Sequence, residues 1–397
     1  MKIGYYYHIC VVKKNNQIYL PSFLSVFFDE LAKHVDKLFL FLHEATTESQ
    51  IISADSCICS DNIIWVNMGK KTPAWHRSIF ANLIIKRHNK YFNKLDALII
   101  RGPSPLAPYF KNSDNLKYKL VYMLVSDYKK GAEMIPVNNL RNLLVKNYVL
   151  HNDKKFKESL RNSLLIVNST EIYNNHKHLS KSIFELRTTT LRNKDFYKRE
   201  NSNLVNPIKI LFTGRIVFQK GLINLIDCLN YSEKEGVKLE LHIVGWEDSE
   251  NKPFEKYLKT YAKSLNIKSQ IIFHGLKSVG EELNAMYRMA DIYVLPSHHE
   301  GFPRTIWEAM ANSLPVISTN VGSIPIYLKN KLNALLVEPK DSDSLFKAIK
   351  LMVSDQKLRT SLVENSFQLV SNHTLEIQTK KIIEIISKGL KSIDNTD

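Results

Sequence analysis

Short apolar runs alternate with longer amphipathic stretches along almost all of this 397-residue chain. Runs of that kind are apolar on both strand faces, which suits a parallel sheet covered by helices rather than an open antiparallel one. In the first half, strands are predicted at 3–7, 37–42, 63–66, 97–100, 120–125 and 164–167. The second half predicts them at 208–212, 239–244, 271–273, 292–295, 316–317 and 335–337. Between the first two, Phe23, Val26, Phe27, Leu31 and Val35 make a helical stripe over 22–34. Residues 192–207, with their charges, asparagines and closing proline, read as a linker. Asp341 ahead of the amphipathic 344–353 stretch reads as a helix cap rather than a metal ligand.

The fold class is therefore α/β, with two doubly wound Rossmann-like domains facing an interdomain cleft. Expected boundaries are 1–200 and 207–372, with 373–397 a C-terminal helix that packs back toward the first domain. The 13 glycines and 13 prolines fall in no period, which removes collagen-like and solenoid architectures. No apolar run approaches the roughly 18 to 20 residues that span a bilayer, and the Met1 segment lacks leader features, so the expected location is the cytosol. Cys10, Cys57, Cys59 and Cys228 are too few and too scattered for a disulfide framework.

The net charge of +16 is concentrated in one half. Residues 1–200 carry 31 Lys and Arg against 17 Asp and Glu, whereas 201–397 carry 24 against 22. An anionic partner of the first half is expected, and an anionic membrane surface at the inner face of the cytoplasmic membrane fits the dispersed lysines as well as a plain solvated surface does. No nucleic-acid module accompanies them, so nucleic acid is not an expected partner.

In an α/β domain the chemistry sits in loops after strands. After 208–212 comes Thr213-Gly214-Arg215, then Lys220-Gly221 and a helical stretch. Gly214 permits a close turn, and Arg215 and Lys220 bring permanent cations suited to a diphosphate. After 292–295 come Ser297, His298, His299, Glu300, Gly301, Phe302, Pro303, Arg304, Thr305 and, further on, Glu308. Pro303 suits a helix start, which leaves Glu300 in the loop and Glu308 inside the helix. The two carboxylates are thus spaced to bracket one extended ligand, and carboxylates accept hydrogen bonds from sugar hydroxyls. Adjacent loop side chains such as His298-His299-Glu300 seldom converge on a metal, and no metal site is expected.

Gly214-Arg215, Lys220-Gly221, Gly245, Glu300-Gly301-Phe302-Pro303, Glu308-Ala309-Met310-Ala311, Leu314-Pro315-Val316-Ile317 and Val321-Gly322 together resemble glycosyltransferase family 4 across 208–370. The resemblance implies a GT-B fold, a nucleotide-diphosphate sugar donor with a UDP-sugar first in line, retention of anomeric configuration, and no metal or other cofactor. It implies that Arg215 and Lys220 stabilise the leaving diphosphate, Glu300 meets the donor sugar, and Glu308 the ribose. Gly214, Gly245, Gly301, Phe302, Arg304 and Thr305 would complete the donor site. The implied acceptor is a glycan or lipid-linked glycan of a bacterial surface polysaccharide such as capsule or lipopolysaccharide. A sugar-nucleotide epimerase, a phosphorylase and a non-catalytic binding subunit are the competing readings.

The first half resembles the family less closely. Tyr5-Tyr6-Tyr7-His8 and a loop to Tyr19-Leu20-Pro21 stand in place of its glycine-rich turn, and Ser126-Asp127 in place of a customary histidine motif. His8, Arg101 and Asp127 follow predicted strands and are acceptor-side candidates by topology, each with a structural role equally open. In the second half Ser313 takes a common glycine position.

Overall fold

A computed structural model describes the chain apart from residues 113–117, 127–131, 134, 136–137, 162, 188, 201–202, 248, 250, 268–269 and 395–397, and apart from the side chains of 49, 111, 112 and 391–394. Asp127 and the Lys129-Lys130 pair lie outside the described residues. The chain forms two compact units, Met1–Thr188 with Gln378–Asp397, and Thr189–Ile377.

The first unit holds β1 (Lys2–Lys14), β2 (Gln17–Leu20), β3 (Lys37–Glu44), β4 (Ser56–Cys57), β5 (Ile63–Lys70), β6 (Ala97–Gly102), β7 (Lys119–Leu124), β8 (Leu164–Val167) and β9 (Ile183–Glu185). Its parallel strands run in the order β5, β3, β1, β6, β7, β8, β9, with β2 and β4 added antiparallel. The chain winds from β1 outward through β3 to β5 and then returns to β6 on the other side of β1. That reversal opens a crevice at the carboxyl ends of β1, β3 and β6. Tyr6, Phe41, Phe92 and Phe110 fill the core on one face, while Tyr5 meets Phe28 edge-on at 4.9 Å on the other.

The second unit holds β10 (Ile208–Thr213), β11 (Leu239–Val244), β12 (Ile271–Gly275), β13 (Ile292–Leu295), β14 (Val316–Thr319) and β15 (Leu335–Val337). All pair in parallel, in the order β12, β11, β10, β13, β14, β15, which sets a second reversal between β10 and β13. One core of aliphatic side chains with Trp307, Tyr287 and Tyr293 joins sheet and helices.

Two segments differ from the sequence reading. The stretch before Tyr19-Leu20-Pro21 is a hairpin, because Asn15 and Asn16 both take positive φ, 49° and 62°, as a tight two-residue turn requires. The 192–207 segment is packed rather than free: Leu191 joins the second core, and Arg199 donates to the backbone oxygens of Arg288 (2.8 Å) and Ala290. The units accordingly divide at residue 188, ahead of the expected boundary at 200, and residues 378–397 cluster with the first unit. No described helix is long and apolar enough to cross a membrane.

Candidate functional site

At the reversal of the second sheet, three loops are drawn together by main-chain contacts. The Gly214 amide donates to the Val244 oxygen (3.0 Å), and the Ile216 amide to the Trp246 oxygen (2.7 Å). The approach is so close that a Cβ on Gly245 would lie 1.7 Å from the Gly214 oxygen, and φ there is +150°. From the other side, the His298 amide donates to the Gln219 oxygen (2.8 Å), and Gly221, with φ +69°, passes against the Pro296 oxygen. The Ser323 amide donates to the Gly301 oxygen (2.9 Å), which adds the loop after β14.

This packing brings Lys220 and Glu300 into an ion pair, both side chains largely buried. Ser297 Oγ donates to the same carboxylate oxygen at 2.7 Å. Lys220 also runs along the Gly214 turn, its Cε 3.9 Å from where a Gly214 Cβ would stand. Arg215 sits exposed one residue beyond that turn. A cationic turn with a carboxylate on its rim is thus built from residues 80 positions apart.

Pro303 caps the helix Arg304–Ala311, so Glu300 lies in the loop before it and Glu308 inside it. Glu308 is buried, and each of its oxygens is already held: Thr190 Oγ1 donates at 2.6 Å and Tyr287 OH at 2.8 Å. Tyr287 OH also lies 2.8 Å from Thr213 Oγ1, which links Glu308 to the residue before the Gly214 turn. Burial first, then the Glu308 carboxylate, raises the Tyr287 hydroxyl far above the ordinary phenol range, so it stays a donor. Phe302 packs on Trp307 with ring centroids 4.4 Å apart and turns into an aromatic cluster with Tyr327. Arg304 and Thr305, in the first turn of that helix, are half-buried. Thr190 and Tyr287 carried no signal in the sequence, since neither belongs to a motif and their partner is over 20 residues away.

In the first unit, His8 and Arg101 stand at the carboxyl-side crevice, and Asp127 lies outside the described residues. The Arg101 guanidinium lies 4.8 Å from the Tyr7 ring centroid, and Tyr7 meets the His8 ring at 4.6 Å. Burial, then Arg77, Lys71, His43 and Arg101, holds His8 down at about 3. Among the described residues no group of three or more His, Cys, Asp or Glu side chains is placed to hold a metal ion.

Residues 193–369 match the family model described as glycosyl transferases group 1. An uncharacterized glycosyltransferase of Methanocaldococcus jannaschii, MJ1607, is 32% identical over 40% of this chain and 38% of its own length. The capsular polysaccharide biosynthesis glycosyltransferase CapM of Staphylococcus aureus is 28% identical over 54% of this chain and 51% of its own. The chain thus spans about half the length, or less, of these curated relatives. Among solved structures, Anabaena HepE in complex with UDP and glucose superimposes with a TM-score of 0.70 over 98% of this chain and 99% of its own, at 16% identity. The chain has the GT-B fold of two Rossmann-like domains, and its second unit matches the glycosyl transferases of group 1.

Proposed function

We propose that the chain is a glycosyltransferase that moves a sugar from a nucleotide-diphosphate donor, a UDP-sugar first, to a glycan or lipid-linked glycan acceptor in bacterial surface polysaccharide synthesis. The observation that carries this reading is the Lys220–Glu300 ion pair beside the Gly214-Arg215 turn at the sheet reversal, inside the stretch that matches group 1 glycosyl transferases. The naming of CapM for capsular polysaccharide biosynthesis and the UDP and glucose bound to HepE support the acceptor class and the donor.

When the bond between the anomeric carbon and the diphosphate oxygen breaks, negative charge gathers on that oxygen. Fixed cations aimed there lower the barrier more than they lower the ground state. Arg215 and Lys220 take this role, and Lys220 turns from Glu300 toward the diphosphate as it does so. Glu300, released, faces the donor sugar as an electrostatic and positioning group. Glu308 has lone pairs left beyond its two protein donors, and these receive the ribose hydroxyls. Transfer proceeds with retention and without a metal.

The test is a thermal-shift comparison of UDP-, GDP- and ADP-sugars followed by assay of nucleotide release. A UDP-sugar is expected to raise the melting temperature most, and free UDP to appear only on addition of a glycan acceptor, undiminished in excess EDTA. Stabilisation by no nucleotide sugar would overturn the reading. UDP release indifferent to acceptor, or abolished by EDTA and restored by magnesium, would overturn transfer or metal independence respectively.

A further inference from the structure

We infer that the carboxyl-side crevice of the first sheet is a binding site for a phosphoryl group, built from Lys71, Arg77, Arg101, His8 and His43. Strand order explains why these residues meet. β1 lies between β3 and β6, so His8 on β1, His43 near the end of β3 and Arg101 near the end of β6 are laid side by side at the chain reversal. The pairing of β1 with β3 loses register between Tyr6 and Cys10, at the segment that carries His8. Arg77, from the helix Ala74–Ile79, reaches the same place, with its Nη1 3.5 Å from His43 Nε2, and Lys71 directly follows β5, whose Lys70 pairs with Glu44 next to His43.

The cluster is unusual in what it lacks. Arg77 is only 4% exposed, yet among the described residues no carboxylate pairs with it, with Arg101 or with Lys71. Arg77 Nε, Arg101 Nε and His8 Nδ1 are buried nitrogens without a hydrogen-bond partner. Buried cations are ordinarily paired, and orphaned buried donors cost stability, so such a group persists where a ligand supplies the missing acceptors. His8, Arg101 and Lys71 each keep a minor part of their surface exposed. His43 Nδ1 is engaged by the Gly69 oxygen at 3.2 Å, leaving Nε2 on the side of Arg77.

The chemistry selects a phosphoryl dianion over a carboxylate. Three permanent cations exceed what one carboxylate neutralises, and a phosphoryl group offers three outer oxygens to forked guanidinium donors. Burial first, and then cationic neighbours, hold His8 and His43 down, and an anion between them would relieve the second cause. Assigning the phosphoryl group to the sugar acceptor rests on the proposed transferase reading, whereas the site itself does not.

The experiment is calorimetric titration of the full chain with inorganic phosphate and with glucose 6-phosphate, against sodium chloride at matched ionic strength. Phosphate binding is expected, weakened at least tenfold in Arg101→Gln and in Lys71→Gln. Arg77→Met is included if circular dichroism shows it folded; the imidazole resonances of His8 and His43 in the unaltered protein, followed during the titration, report the same site without substitution. Tighter binding of glucose 6-phosphate than of inorganic phosphate assigns the group to a soluble sugar phosphate. Preference for phosphatidic acid over phosphatidylglycerol vesicles at equal charge, lost in Arg101→Gln, assigns it to a lipid headgroup. No binding to the unaltered protein, or binding unchanged in both Arg101→Gln and Lys71→Gln, overturns the site. Phosphate binding without sugar transfer would sink the transferase reading alone, and transfer without phosphate binding would sink this site alone.

Discussion

Lys220 and Glu300 show how one contact can set binding against turnover. On the proposed reading Glu300 competes with a diphosphate for the Lys220 ammonium, so Glu300→Gln is expected to hold UDP as tightly as the unaltered protein, or tighter, while turnover falls. Arg215→Ala and Lys220→Ala are expected to lose turnover by one to several orders of magnitude, since a charge-assisted contact to a developing anion is worth about 2 to 4 kcal/mol. Equal losses of affinity and turnover in Glu300→Gln, measured by calorimetry and steady-state kinetics, would refute the competition. The motif residues were legible because their types and spacing carry chemistry directly. Arg77 and His43 were not, since nothing in the sequence ties them to His8 and Arg101 before the strands are ordered. These histidines also give a pH prediction. His8 is faced by Arg77, Lys71, His43 and Arg101, and His43 by Arg77, Lys71 and His88; burial is the first cause in both, which puts them at about 3 and about 4. The unfolded chain therefore binds more protons below its ordinary value of about 6.5, so their contribution is complete above that pH and is lost as pH falls toward the folded values. Stability is expected to fall between pH 6.5 and 5 by up to about 1.4 kcal/mol per pH unit for each histidine, and the melting temperature with it. His8→Asn and His43→Asn should each flatten that slope; an unchanged slope would mean that neither ring is held neutral.

Strands and loops were read from the sequence with unequal success, and the reason is local. The extents of β8, β11 and β13 match the apolar runs that predicted them, because a strand buried on both faces leaves a run with little else in it, and the short edge strand β15 matches its run as well. β2, β4 and β9 escaped, being strands of two to four residues, β4 and β9 at the sheet edges, with little burial to imprint a pattern. The two asparagines of the β1–β2 turn were the available hairpin signal. Ser313 takes φ 55° and ties its hydroxyl to the Tyr197 oxygen at 2.7 Å, so a position that favours glycine is held here by a side-chain bond. At Gly245 no such exchange is open. Gly245→Ala places a methyl into the Gly214 carbonyl and asks alanine for a rarely populated φ, at a cost of roughly 1 to 3 kcal/mol for the backbone alone. The β10 and β11 loops must then part, which moves Arg215 and Lys220. Urea denaturation and nucleotide titration of this variant should show both lower stability and weaker nucleotide binding; loss of neither would contradict the close loop contact.

The excess of positive charge and the larger share of the exposed large apolar side chains among the described residues lie in the first unit. Trp75, Ile79, Phe80 and Leu83 stand exposed on the helices Ala74–Ile79 and Ala81–Arg87, with Lys86, Arg87, Lys90 and Lys94 in the following turns. Leu140, Leu143 and Leu144 are exposed on the helix Leu140–Leu160, which is tied to the first of these by Ser78 Oγ and Tyr148 OH at 2.7 Å. The charge split was visible by counting, whereas this surface required the fold, because each of those apolar residues would equally suit a core. Cations beside exposed aromatic and aliphatic side chains suit an anionic bilayer surface, each Lys or Arg near it adding on the order of 1 kcal/mol. The full chain is the material for the test, because residues 378–397 belong to the first unit and Lys119 Nζ donates to the Gly389 oxygen at 2.9 Å, so a 1–200 fragment would lose part of its own fold. Sedimentation with phosphatidylglycerol vesicles should exceed that with phosphatidylcholine and fall steeply with salt, since exposed charges are screened over about 8 Å at physiological ionic strength. The apolar share of the contact is not screened, so binding that survives high salt should drop in Ile79→Ser with Leu83→Ser, two side chains already in solvent whose change leaves the core intact. Equal partition onto both vesicles, or none onto either, would mark the charge as ordinary solvated surface and leave a soluble glycan as the acceptor.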